Sequence, residues 1–123
     1  MSDGGPLDLE ALAQLRSLSG MRGGSLADDA IDAFQRELPE RLLVLREALG
    51  QSDWRTAEHS AQALRGIAAT LGAREVARLA GELGDALARG ATAEAASNLA
   101  ELYTAGKAAI AALEAQRTPS GSS

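Results

Sequence analysis

The sequence predicts an all-α fold, an antiparallel up-down four-helix bundle with a short additional helix at the N-terminus. Apolar residues recur at three- and four-residue spacing along most of the 123 residues, which is the period of an amphipathic helix. Glycines interrupt this pattern at intervals, and the short connections that result favour antiparallel neighbours. Aromatic residues make up only 2% of an alanine-rich chain, a composition that favours helices over strands.

The first two helices are delimited by capping residues and glycines. Asp8 is placed to cap a first helix that Gly20 would end, and four leucines follow the cap at near-helical spacing: Leu9, Leu12, Leu15 and Leu18. Ser25 and Asp28 resemble a capping box and predict a second helix that runs to Gly50. The apolar positions of this second helix are Ile31, Phe34, Leu38, Leu42, Leu45 and Leu49.

Pro39 lies inside the second apolar series. A proline within a helix removes one hydrogen bond and costs about 3 kcal/mol, so Pro39 could divide the segment into two helices. The apolar spacing continues in phase from Phe34 across Pro39 to Leu42. We therefore expect a single kinked helix.

The third and fourth helices are predicted from capping residues, glycines and apolar spacing. The third is predicted to begin near Ser52 or Asp53 and to end at Gly72, and the fourth to end at Gly90. The residues expected to be buried in the third helix are Trp54, Ala57, Ala61, Leu64, Ala68 and Leu71. Those expected in the core from the fourth helix are Val76, Leu79, Ala80, Leu83 and Leu87.

The fifth helix begins at a predicted Thr92 cap, and its expected inward residues are Ala96, Leu99, Tyr103, Ile110 and Leu113. Gly106 falls on the same inward face, where it either weakens the helix or lets a neighbour pack closely. The bundle is expected to span residues 7–116. Residues 1–6 and the Pro-Ser-Gly-Ser-Ser tail within 117–123 have the composition of disordered ends.

Composition excludes several classes of function. The 12 basic residues against 17 acidic ones give a net charge of −5, which argues against a nucleic-acid partner, and base stacking has few aromatic rings to use. One histidine and no cysteine make a zinc or copper site improbable, and we expect no cofactor. No apolar run approaches the ~18 residues of a membrane span, so we expect a cytoplasmic protein.

The third helix has one outward face of special composition. At roughly 100° per residue, the buried side faces the core while His59, Gln62, Gly66 and Ala69 form an outer stripe, with Arg65 beside it. A glycine inside a helix costs about 1 kcal/mol relative to alanine. Gly66 is therefore expected to let another backbone approach position 62. The alternatives are tight packing against a neighbouring helix or a tolerated change without a function.

The segment from Ala61 to Ala73 resembles the signature of histidine-containing phosphotransfer (HPt) domains, Ala-His-x-Leu-Lys-Gly followed by Leu-Gly-Ala. The residues that match it are Leu64, Arg65, Gly66, Ala69, Leu71, Gly72 and Ala73. An upstream pattern common in the family, Phe-x-x-Glu-x-Pro-x-x-Leu, is matched by Phe34, Glu37, Pro39 and Leu42. The resemblance implies a module of a two-component phosphorelay whose partner is the receiver domain of a response regulator, a hybrid histidine kinase, or both.

Two positions depart from the family pattern. Gln62 stands where the phosphorylatable histidine is expected, and glutamine has no nucleophilic ring nitrogen. Many family members have Leu-Glu in the fourth helix where this chain has Leu83-Gly84. Three interpretations of Gln62 are open: a natural loss of the carrier, a His→Gln substitution in a working phosphotransfer domain, or a chance resemblance in an unrelated bundle.

The remaining stripe residues are interpreted with the same resemblance. Arg65 keeps the positive charge that in the family supports the phosphohistidine and meets the partner's acidic site, although a solvated helix arginine is the plain alternative. His59 is not expected to replace the carrier, because it lies a turn away from Gly66 and Arg65 and phosphoryl transfer requires in-line placement. The predicted partner-binding residues are His59, Gln62, Arg65, Gly66 and Ala69.

The sequence thus predicts a binding module without enzymatic activity that docks a receiver domain and, with Gln62, carries no phosphate. One alternative is an authentic phosphotransfer protein whose phosphoacceptor at position 62 was substituted. Another is a scaffold or dimerising bundle, in which Gly66, Gly84 and the many alanines let two bundles pack closely.

Overall fold

The computed structural model describes residues 7–21 and 26–116, and all regular secondary structure in these two ranges is helical. The five helices are α1 (Leu9–Met21), α2 (Leu26–Gly50), α3 (Trp54–Leu71), α4 (Arg74–Ala88) and α5 (Thr92–Gln116). The predicted disordered ends, 1–6 and 117–123, lie outside the described residues, as does Ser25 of the predicted capping box. The expected bundle limits of 7 and 116 stay a prediction.

The helices form the predicted four-helix bundle with one short leading helix. Each of α2, α3 and α4 packs against the next helix in the chain, and α5 returns to pack against α2, which closes the ring. The leading helix α1 lies across α2 and α3. The core is built almost entirely from leucine and alanine, with Phe34 as its largest side chain. None of the helices in the described ranges is long and apolar enough to cross a membrane.

The predicted helix starts are confirmed at α1 and α3. The carboxylate Oδ1 of Asp8 accepts hydrogen bonds from the backbone N–H groups of Glu10 at 3.1 Å and Ala11 at 3.4 Å. Asp53 caps α3 in the same way, because its Oδ1 accepts from the backbone N–H of Thr56 at 3.2 Å. These bonds satisfy N–H groups that have no partner within the helix.

Pro39 lies inside α2, which is one continuous helix as predicted. The proline is exposed, so its ring faces away from the core while the apolar residues on either side pack inward. Gly20 does not end α1, which continues to Met21.

Two predicted core positions were wrong. Trp54 is 40% exposed because it is the first residue of α3, at the end of the bundle where residues 51–56 are all exposed. Ala96 is exposed as well, and Ala95 is buried in its place. Alanines occur on every face of α5, so apolar spacing could not identify which of two neighbouring alanines faces the core.

Gly106 serves close packing, which settles the choice left open by the sequence. A Cβ atom built on Gly106 would lie 2.9 Å from Cδ2 of Leu38 in α2. Both residues are buried, and the absence of a side chain at Gly106 lets α5 approach α2 closely. Tyr103 and Ile110, on either side along α5, are half-buried rather than fully buried.

Candidate functional site

The outer stripe of α3 lies on the surface of the bundle as predicted. His59, Gln62, Gly66 and Ala69 are exposed, and so is Arg65 beside them. The opposite side of the helix is fully covered, since its packing residues, Ala57, Ala61, Leu64, Ala68 and Leu71, are all buried. The sequence therefore placed both faces of α3 correctly, apart from Trp54 at its start.

Gly66 opens onto free space. A Cβ atom built on it would meet no heavy atom within 4 Å among the described residues outside its own helical turns. The helix is unbroken at this glycine, and the hydroxyl of Thr70 donates a hydrogen bond to the Gly66 carbonyl oxygen at 3.1 Å. Tight packing of Gly66 against a helix of the same chain is thus excluded within the described ranges. The missing side chain makes a shallow gap in the surface beside Gln62.

Two glycines of α4 lie under side chains of the α3 stripe. A Cβ atom on Gly84 would lie 3.1 Å from Nε2 of Gln62, and one on Gly81 would lie 3.4 Å from Cδ of Arg65. Gly84 is buried although it faces the exposed side of α3, because Gln62 and Ala61 cover it. The sequence did not predict this contact. Residues that pair across two adjacent antiparallel helices have position numbers with a constant sum, and the pairs 62/84 and 65/81 share one sum. This relation is the sequence signal that could have identified the contact.

A groove of about 340 Å³ continues the stripe toward the connection between α3 and α4. Its lining residues are Asp8, Arg65, Ala69, Gly72, Arg74, Ala77 and Arg78. Sequence reasoning identified Arg65 and Ala69 but missed the two arginines of α4. One turn of α4 thus adds basic side chains to the end of the stripe that lies beyond Gly66.

The charge of Arg78 is largely matched by its own helix. Its guanidinium donates to Oε2 of Glu75 at 2.6 Å and to Oε2 of Glu82 at 2.7 Å. The hydrogen bond from Arg78 lowers the pKa of the Glu75 carboxyl, and the two acids raise the pKa of Arg78. Arg78 is therefore held along α4 by two carboxylates, whereas Arg65 lies against Gly81 on the stripe itself.

His59 is exposed one turn before Gln62. Among residues 7–21 and 26–116 there is no cluster of three histidine, cysteine, aspartate or glutamate side chains that could hold a metal ion. The candidate site therefore combines the amide of Gln62, the guanidinium of Arg65 and the gap at Gly66 on an exposed helix face.

Comparison with known proteins agrees with this geometry. A family model described as the Hpt domain matches residues 29–116, which is most of the bundle. The chain belongs to the Hpt domain family. The interpretation of the signature as a chance resemblance is therefore wrong, and the protein is an HPt-type module of the two-component phosphorelay kind.

A solved structure shows the same fold over almost the whole HPt domain. The crystal structure of histidine-containing phosphotransfer protein B (HptB) from Pseudomonas aeruginosa PAO1 superposes with a TM-score of 0.84 at 23% sequence identity. The match covers 94% of this chain and 96% of that protein. No curated protein matches the chain at a significant level. The leading helix α1, which precedes the family match at residue 29, thus falls within a shared fold.

Proposed function

We propose that this HPt domain docks a receiver domain, of a response regulator or of a hybrid histidine kinase, through the outer stripe of α3. The observation that carries the proposal is the free space at Gly66, next to the exposed Gln62 and Arg65. Alanine stabilises the interior of a helix by about 1 kcal/mol relative to glycine. The chain alone therefore gives no structural reason for an exposed glycine with nothing packed on it. Close approach of another protein supplies one.

The proposed docking leaves no phosphate on this chain. Transfer from a receiver requires a nucleophile in line with the phosphoryl group, and the amide of Gln62 has no such nitrogen. Arg65 would meet the acidic site of the receiver, where a guanidinium forms charge-assisted bonds with carboxylates. The module would thus act by binding and not as an enzyme.

Titration calorimetry against receiver domains from the same genome tests the docking surface. Gly66→Gln fills the gap and should weaken binding at least tenfold, which is about 1.4 kcal/mol, while circular dichroism stays helical. Ala96→Gln is the matched control, because it adds the same side chain to an exposed position of α5. Equal affinity for both variants and the unchanged protein would refute docking at Gly66.

A second candidate is an authentic phosphotransfer domain in which glutamine replaced the carrier at position 62. Family membership and the retained Arg65 and Gly66 favour it, since these residues surround the position from which a histidine would act. A histidine codon at position 62 of the natural gene would establish this candidate, and a glutamine codon would establish natural loss.

A dimerising bundle is the weaker third candidate. Gly84 is covered by Gln62 and is therefore not free to contact a second bundle. A monomer in light scattering at the concentrations used for titration would exclude it.

A further inference from the structure

The side chain of Gln62 crosses from α3 to α4 and ends over Gly84. A Cβ atom built on Gly84 would lie 3.1 Å from Nε2 of Gln62, which is closer than an ordinary van der Waals contact. A larger residue at 84 would therefore interfere with the Gln62 amide. Ala61 is the other neighbour, with its Cβ 3.9 Å from the same point. Gly84 therefore leaves space on α4 for the end of the side chain at position 62, and we call this space the seat.

Gly84 is one of two glycines on the side of α4 that faces the α3 stripe. Gly81 lies one turn before Gly84, and a Cβ atom built on it would lie 3.4 Å from Cδ of Arg65, which is a looser contact than that at Gly84. The side chains of Gln62 and Arg65 are both exposed, and each contacts α4 at a glycine. The gap at Gly66 remains open beside these two contacts.

We propose that Gly84 is a positioning residue that holds the side chain at position 62 against α4 and so keeps the approach to Gly66 open. The proposal deepens the docking function and rests on it for its consequence, although the seat itself is a property of the free protein. A side chain at 84 would occupy the space above α4. The Gln62 amide would then project outward from α3, into the volume that the partner needs.

The seat is tested first without a partner, by nuclear magnetic resonance of the free protein. The side-chain amide protons of Gln62 should show Overhauser contacts to the α protons of Gly84. Gly84→Ala should move the Gln62 side-chain amide resonances, whereas Gly81→Ala, the matched control on the same helix, should leave them in place. Absence of the contacts in the unchanged protein, or equal shifts in both variants, would overturn the proposal.

The consequence is tested by a double-mutant cycle with a receiver that binds the unchanged protein. Gly84→Met should weaken binding about tenfold when Gln62 is present and less than threefold in the Gln62→Ala background, because the effect passes through the side chain at 62. A direct clash with the receiver or a general loss of stability would give the same fold-change in both backgrounds, and this result would overturn the proposal.

A replacement variant guards against misfolding, and one outcome separates this inference from the docking function. If Gly84→Met does not fold, Gly84→Ala in the same cycle replaces it, with a smaller but still non-additive effect expected. If the unchanged protein binds no receiver, docking fails, and the Overhauser contacts of Gln62 still decide whether Gly84 seats the residue at 62.

Discussion

The backbone N–H of Asp8 donates a hydrogen bond to the carbonyl oxygen of Gly72, which joins the start of α1 to the connection between α3 and α4. Gly72 has a φ of +77°, the left-handed conformation that ends α3, and its own N–H bonds to the carbonyl oxygen of Ala69 at 3.1 Å. Asp8 and Gly72 also line the groove beside Arg65. The residue that caps α1, which lies outside the family-matched segment, therefore contributes to the groove next to the stripe.

Gly72→Ala should destabilise the protein strongly. A non-glycine residue held in the left-handed region costs about 1–3 kcal/mol, and the added Cβ would also overlap the carbonyl oxygen of Asp8, a backbone atom that cannot turn aside. The free energy of unfolding is measured in urea. Gly90→Ala is the matched control, since Gly90 has the same φ of +77° but no heavy atom of the described residues within 4 Å of its Cβ position. A cost no larger at Gly72 than at Gly90 would contradict the role of the Asp8 contact.

Gly66→Ala should raise the free energy of unfolding by about 1 kcal/mol, the difference in helix propensity between the two residues. The methyl group enters open space, so nothing offsets the gain. Gly106→Ala is the comparison, because its Cβ would meet the buried Leu38 at 2.9 Å and lose part of the same gain. If Gly66→Ala lowers stability, the residue is needed inside the domain, and its proposed role in docking loses its basis.

The sequence predicted the helices and the faces of α3 because leucine spacing and glycine punctuation are local properties. It failed where local pattern carries no information. Ala95 and Ala96 have equal hydrophobicity, and Trp54 satisfies the apolar period although no neighbouring helix covers the end of the bundle. The contact between Gln62 and Gly84 depends on the register of two helices, which only the packed structure fixes.

Arg65→Ala should weaken receiver binding by about 1–3 kcal/mol, the range of hydrogen bonds to charged groups, without a comparable loss of stability. Arg65 is exposed on the stripe, where it can reach an acidic partner. Arg46→Ala is the matched control, because it removes the same charge from an exposed position of α2. Binding of the unchanged protein should also fall with added salt, and the fall should be smaller for Arg65→Ala. An equal effect of both substitutions on calorimetric affinity would mean that only net charge matters.

Gln62→His should create labelling by a phosphorylated receiver or an autophosphorylated kinase, whereas the unchanged protein should stay unlabelled. The imidazole would stand on an exposed helix face with Arg65 and the gap at Gly66 already beside it, so the main missing element is the nucleophilic nitrogen. The phosphate should be acid-labile and should map to position 62 by mass spectrometry. The double variant Gln62→His with His59→Ala should be labelled equally, because His59 lies one turn too far along α3 for in-line transfer. Acid-labile phosphate on His59 of the unchanged protein would show that the carrier moved along the helix instead of being lost.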